Sequence, residues 1–145
     1  MKILFMADVV PNLNNGASGT EIQTIKALRD LGHEVDEIWA DGLSHCIKHG
    51  NLHYLLELPV SYAIAVKRML KLKHYDVVHI NQPHGYLAAR LIRKSYPNTI
   101  FVHRSHGLEL RVSRDLKKWK EKYNEINKKG LSLLASKTLA SMLKY

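Results

Sequence analysis

The sequence predicts an α/β fold, one parallel sheet with helices on both faces, and three observations predict it. Residues 3–7, "ILFMA", are an unbroken apolar run, the pattern of a strand covered on both sides. Beyond it, strand-like and helix-like segments alternate about four times, as they do when helices cross over between parallel strands. At 145 residues, with 46% hydrophobic and 24% charged side chains, the chain is long and apolar enough to bury one core.

The elements follow in order. The first strand is Ile3 to Ala7, and the loop "DVVPNLNNGASG" leaves it. A helix is expected from Thr20 to Leu31, with Ile22, Ile25, Leu28 and Leu31 on its apolar face, Thr20 to Gln23 as a capping box and Gly32 as its terminator. "HEVDEIWA" reads as a second strand, more polar and suited to a less buried place in the sheet. Residues 42–58 show no period and are assigned no element. A second helix is expected from Val60 to Lys73, a third strand in "YDVVHIN" at 75–81, a short helix in "GYLAARLIRKSY" closed by Pro97, and a fourth strand in "TIFVHR". Residues 114–144 read as two helical stretches broken at Gly130. With no repeat, low-complexity tract or linker in sight, residues 1–145 are read as a single domain.

In sheets of this kind ligands bind beyond the carboxyl ends of the strands. That rule gathers "DVVPNLNNGASG", "NQPHG" and "SHGLE" on one edge, and all three are rich in glycine and hydrogen-bonding side chains. Gly16 and Gly19 admit two readings. They can let a phosphate approach a helix N-terminus, or they can simply turn the chain before the helix. The pattern is neither Gly-x-Gly-x-x-Gly nor a P-loop, which disfavours nicotinamide and ATP sites of those types.

The 22 basic and 13 acidic residues leave a net charge of +9, which favours anionic partners: phosphate-bearing substrates, acidic lipid headgroups or nucleic acid. Cys46 is the only cysteine, so an internal disulfide is excluded. Asp8 ends the first apolar run short of signal-peptide length, and no apolar stretch approaches the roughly 20 residues of a membrane span. A soluble, cytoplasmic chain is the expectation, with peripheral contact at the inner membrane face left open.

The succession "ALRDLGHEV", "YDVVHINQPHG" and "TIFVHRSHGLE", behind a first strand and a glycine-bearing loop, resembles the N-terminal domain of the family 4 (group 1) glycosyltransferases of GT-B fold. The resemblance covers residues 1 to about 112. It implies a Rossmann-like domain that receives a glycan or lipid-linked acceptor and faces a second, donor-binding domain across a cleft. It implies that Gly16, and with it Gly19, lies toward the diphosphate of a nucleotide-sugar donor, and that His106 lies near the transferred sugar as the catalytic candidate. The family often carries adjacent glycines in the first loop, where this chain has Asn15 and Gly16, and a second histidine where it has Asn81. The donor domain, with its Glu, seven residues, Glu pattern, is not in the sequence. The expectation is a truncated N-terminal half of a hexosyltransferase-type enzyme that is inactive alone, working in polysaccharide biosynthesis, with no metal or other cofactor and no nucleic-acid partner.

Other residues carry paired readings. Glu109 either accepts a hydrogen bond from an acceptor hydroxyl or is a solvated carboxylate. His84 and Gly85 end the third strand and line the cleft, though Gly85 also suits the start of a helix. His79 reads as a packed core histidine, and Asp8 either faces the cleft or pairs with a cation. His45, His49 and His53 have helical spacing beside Cys46, but Gly50 weakens the helix and a polar surface stretch is preferred to a metal site. From Arg111 to Lys129, eight basic residues surround a stripe of Leu116, Trp119, Tyr123 and Ile126. That stripe packs on the sheet or on the missing domain, or it lies on an anionic membrane. The rival to the enzyme reading is a basic module for membrane or nucleic acid, without chemistry.

Overall fold

A computed structural model describes residues 1–81, 83–105 and 114–119. Its strands β1 (Lys2–Met6), β2 (Glu34–Ile38), β3 (Val77–Asn81) and β4 (Ile100–Arg104) form one sheet in the order β2-β1-β3-β4, every pair parallel. Between them lie helices α1 (Gly16–Asp30), α2 (Gly50–Leu52), α3 (Leu58–Leu72) and α4 (Tyr86–Ile92). The fold is the Rossmann-like α/β arrangement that the alternation predicts.

Side chains along β1 point alternately to the two faces, and the core divides accordingly. Leu4 and Met6 join Val78 and Ile80 under Tyr62 and Val66 of α3 and Ala88 and Ile92 of α4. Ile3, Phe5 and Ala7 pack with Val35 and with Ile25 of α1 on the other side. An element buried on both faces has no room for polar residues, which is why β1 is apolar from Ile3 onward and central. The more polar β2 takes an edge, as its sequence predicts.

Helix α1 begins at Gly16, not Thr20. Asn15 is its N-cap, its Oδ1 accepting the Ala17 N–H at 3.0 Å, and asparagine is among the strongest caps. The Thr20 to Gln23 capping box is therefore overturned: Thr20 lies inside the helix, where its hydroxyl donates to Gly16 O at 2.7 Å. The earlier start also corrects the buried face. Ser18, Glu21 and Ile25 point inward, whereas Leu31 is exposed at the C-cap. At that end Gly32 adopts φ 81°, its N–H bonding Arg29 O while His33 N–H reaches Leu28 O, a Schellman closure that needs a left-handed residue.

The stretch without a period proves to be helical from Gly50 onward. After α2, residues His53–Glu57 form one π-helical segment that runs directly into α3. Leu58 N–H donates five residues back to His53 O, and Pro59 has no N–H with which to continue an α-type ladder. The widened turn shifts the side-chain register, which erases a 3.6-residue period across 50–58 and lets the helix start before Val60. Of the segment 114–144, residues 114–119 are helical and the rest, including Gly130, lies outside the described residues. Among the described residues no helix is long and apolar enough to cross a membrane.

Gly85 sets how closely α4 follows β3. A Cβ there would stand 2.9 Å from Asn81 O and 2.9 Å from the Ile80 Cβ, both held by the sheet. Gly85→Ala should therefore destabilise the fold by about 1–3 kcal/mol, read as a lower urea midpoint with unchanged slope.

Candidate functional site

The chain leaves β1 for β2 on one side and then returns to place β3 on the other, so the carboxyl ends of β1 and β3 flank the switch point of the sheet. In parallel sheets the crossovers diverge at such a point, where a crevice opens between them. Asp8 follows β1 into it, Asn81 ends β3, His84 lies in the turn after β3, and Arg104 ends the neighbouring β4. Helix α1 lowers Glu21 onto the same place.

These side chains form one connected network. Asn81, fully buried, directs its Nδ2 between two carboxylates, to Asp8 Oδ1 at 3.3 Å and Glu21 Oε1 at 3.2 Å. Glu21 is also fully buried and accepts Arg104 Nη1 at 2.8 Å, while the same guanidinium nitrogen reaches Thr24 Oγ1 at 3.3 Å. Asp8 Oδ2 lies 3.1 Å from His84 Nδ1. Burial opposes ionisation of Asp8, but the His84 hydrogen bond and charge, with the Asn81 amide, together bring its pKa below the ordinary value. An ionised Asp8 makes Nδ1 of His84 the donor and reserves Nε2 for a further group, acceptor when the ring is neutral and donor when it is charged.

Two buried atoms of this region have no partner among the described residues: Asn81 Oδ1 and the Tyr62 hydroxyl. Burial, reinforced by the charges of Asp8 and Glu21, raises the Tyr62 pKa, so its hydroxyl remains a proton donor. Native structures rarely leave such groups unsatisfied without a water, an ion or a ligand to meet them. The arrangement offers carboxylate acceptors, an oriented imidazole and an amide, a set suited to a ligand rich in hydroxyl groups.

A second array adjoins the first. The Tyr54 ring stacks on His84 with centroids 5.5 Å apart and meets His53 edge-on at 5.3 Å; His53 in turn stacks on His45 at 4.0 Å. Glu57 holds the far end, Oε2 receiving His53 Nδ1 at 2.8 Å and the Ile47 N–H at 2.9 Å, and Oε1 the Cys46 N–H at 2.6 Å. The His53 hydrogen bond first, and then those backbone donors, hold the Glu57 carboxyl down to about 2. His45 and His53 thus belong to a ring stack and a carboxylate clamp. Among the described residues no group of three or more His, Cys, Asp and Glu side chains is arranged to hold a metal ion.

The sequence-predicted residues fare unequally. His84 lies in the crevice, and Asp8 does so both as a cleft residue and as a partner of the imidazole. Gly16 is the first residue of α1, the helix that carries Glu21, and faces open space where a Cβ would stand. Gly19 lies within that helix and its N–H bonds Asn15 O at 2.6 Å, so it is not the residue before a cap. His106 and Glu109 lie outside the described residues. His79 is half-buried and stacks on Phe5 at 4.2 Å. Within the Arg111 to Lys129 stretch, Leu116 and Trp119 are exposed, and Tyr123 and Ile126 lie outside the described residues.

Sequence reasoning missed Glu21, Arg104, Tyr54 and Tyr62, and it met Asn81 only as a difference from a family pattern. One signal was available for Glu21: it stands four residues before Ile25, on the same face of the helix. Compared with models of known protein families and with curated protein sequences, the chain matches none.

Two outcomes follow from the two carboxylates. Arg104→Met removes the cation facing a buried Glu21 and should cost about 3 kcal/mol in urea unfolding, more than a surface substitution would. Glu57 has a depressed folded pKa, so its contribution is complete above about 4.5, the ordinary carboxyl value, and is lost as pH falls through about 2. The amide resonances of Cys46 and Ile47 should accordingly titrate with a midpoint near 2, and in Glu57→Gln that titration should vanish.

Proposed function

We propose that this chain is the acceptor-side domain of a glycosyltransferase of GT-B type, with the crevice between β1 and β3 as the wall that receives the acceptor sugar. The observation that carries the reading is the network of buried Asn81 and Glu21 with half-buried Asp8 and His84 at the switch point of a parallel sheet. Among the described residues the Asp8 carboxylate, bonded by Asn81 and His84 and not by a guanidinium, is placed there to accept hydrogen bonds from hydroxyl groups. A nucleotide-sugar's diphosphate is better met at the N-terminus of α1, where Gly16 leaves the backbone open, with a facing donor domain, in the same or another polypeptide, gripping the nucleotide.

On this reading His84 contacts an acceptor hydroxyl through Nε2, and Asp8 fixes its ring and tautomer. An imidazole so oriented can take up a hydroxyl proton as the oxygen bonds the donor's sugar carbon and that carbon's bond to the diphosphate oxygen breaks, the nucleoside diphosphate leaving with the electron pair; proximity supplies the rest of the protein's contribution. His106, by family resemblance, stands near the transferred sugar. The chemistry asks for no metal from these residues.

The test is a titration of the isotopically labelled chain. Millimolar methyl glycosides of glucose, galactose, mannose and N-acetylglucosamine should shift the amides of Asp8, Asn81 and His84, and His84→Ala should weaken the effect about tenfold. Generic DNA and RNA should leave those amides in place. If nucleic acid binds with a steep salt dependence and no glycoside perturbs the crevice, the chain is the basic binding module instead.

A further inference from the structure

We infer that Tyr54 is a carbohydrate-stacking platform, the apolar half of the acceptor subsite whose polar half is the Asp8, Asn81 and His84 crevice. The inference rests on the acceptor-site reading and adds the residue that would orient the sugar ring. Tyr54 belongs to none of the motifs that point to a glycosyltransferase, and its assignment comes from geometry alone.

Three observations carry it. Tyr54 is 53% exposed although it sits beside a largely buried polar network. Its link to that network is His84, stacked at 5.5 Å between centroids with 30° between planes, and His84 is itself fixed by Asp8 at 3.1 Å. The ring therefore cannot turn away without unstacking from a residue that is tied to the sheet. Moreover, Tyr54 lies in the π segment His53–Glu57, the only such segment among the described residues. π-turns displace one side chain from the α-helical register and recur at functional sites.

Chemistry selects the ligand class. A pyranose ring presents C–H groups on its faces and hydroxyls at its rim. An aromatic plate meets the first and a cluster of carboxylate, amide and imidazole meets the second, the usual division of labour in small-ligand sites. The 5.5 Å stack is offset, so part of the Tyr54 ring extends beyond His84, and a sugar lying on that part stands beside the imidazole and its Asp8 and Asn81 neighbours. The phenol oxygen has no part in stacking, which separates this role from one for a tyrosine hydroxyl.

Saturation-transfer NMR on the whole chain with the four methyl glycosides tests the assignment. Irradiating aromatic protons should transfer saturation to the ring C–H protons of a bound glycoside. Tyr54→Phe should retain both the transfer and the affinity within about twofold, whereas Tyr54→Ala should lose the transfer and bind about tenfold more weakly. An unchanged affinity in Tyr54→Ala, with the Asp8, Asn81 and His84 amides still shifting, overturns the platform and leaves the acceptor crevice standing. Failure of every glycoside to shift those amides overturns both. Preferential stacking of uridine or adenosine on Tyr54 overturns the carbohydrate assignment in favour of a base. Equal losses in Tyr54→Phe and Tyr54→Ala also overturn it, because they make the hydroxyl the operative group.

Discussion

The Glu21 carboxylate, wholly removed from solvent, is the constraint on which the carboxyl edge of this sheet depends. A buried charge is tolerable only with partners, and its partners come from the ends of β3 and β4, far from Glu21 in the chain. The requirement docks α1 over two strands at once. Its consequences propagate: Asn81, bound to Glu21, is presented to Asp8; Asp8 orients His84; and His84 supports Tyr54. Each group is held by one nearer the core, which is how a site keeps its geometry on a domain of modest size.

Glu57 plays the corresponding part on the outer side. Its two oxygens collect His53 and the Cys46 and Ile47 amides, so the irregular stretch before α2 is tied to the π segment that carries Tyr54. Pro59 denies that segment an α-type continuation, and the widened turn is the local solution. The segment is thus shaped by one missing donor and stabilised by one clamp. It connects to the sheet cluster through ring stacking between Tyr54 and His84, a contact softer than a hydrogen bond and better able to accommodate a ligand.

What was legible in the sequence is what depends on period and composition. The apolar run of β1, the polar edge strand β2 and the glycine after α1 are local patterns with local causes. Helix starts were less legible, because Asn15 and Thr20 both offer cap chemistry and only Asn15 has its side chain on the right amide. The π segment was illegible since it abolishes the period by which helices are recognised. Of the site, His84 and Asp8 were within reach because the strand-end rule points to them. Arg104 was not, because it looks like an ordinary surface charge until its partner Glu21, 83 positions away, is known; Glu21 shares a helix face with Ile25, which hints at burial but names no partner.

A comparison within the molecule separates the carboxyl-end cluster from a merely polar surface. The amino end of the sheet also carries a charged cluster: Asp36 accepts Tyr75 Oη at 2.5 Å and Lys73 Nζ at 2.8 Å, and Lys73 reaches Glu34. There the charged side chains remain open to water, and among the described residues none of the cluster's polar atoms is both buried and unpartnered. The carboxyl end is the reverse, with Glu21 and Asn81 withdrawn from water and, among the described residues, no partner for Asn81 Oδ1 or the Tyr62 hydroxyl. A well-packed apolar cluster would hold α1 to the sheet at least as firmly as a buried ion pair does. Stability alone therefore accounts for the first cluster and not for the second, and the difference falls where the topology of parallel sheets puts a ligand.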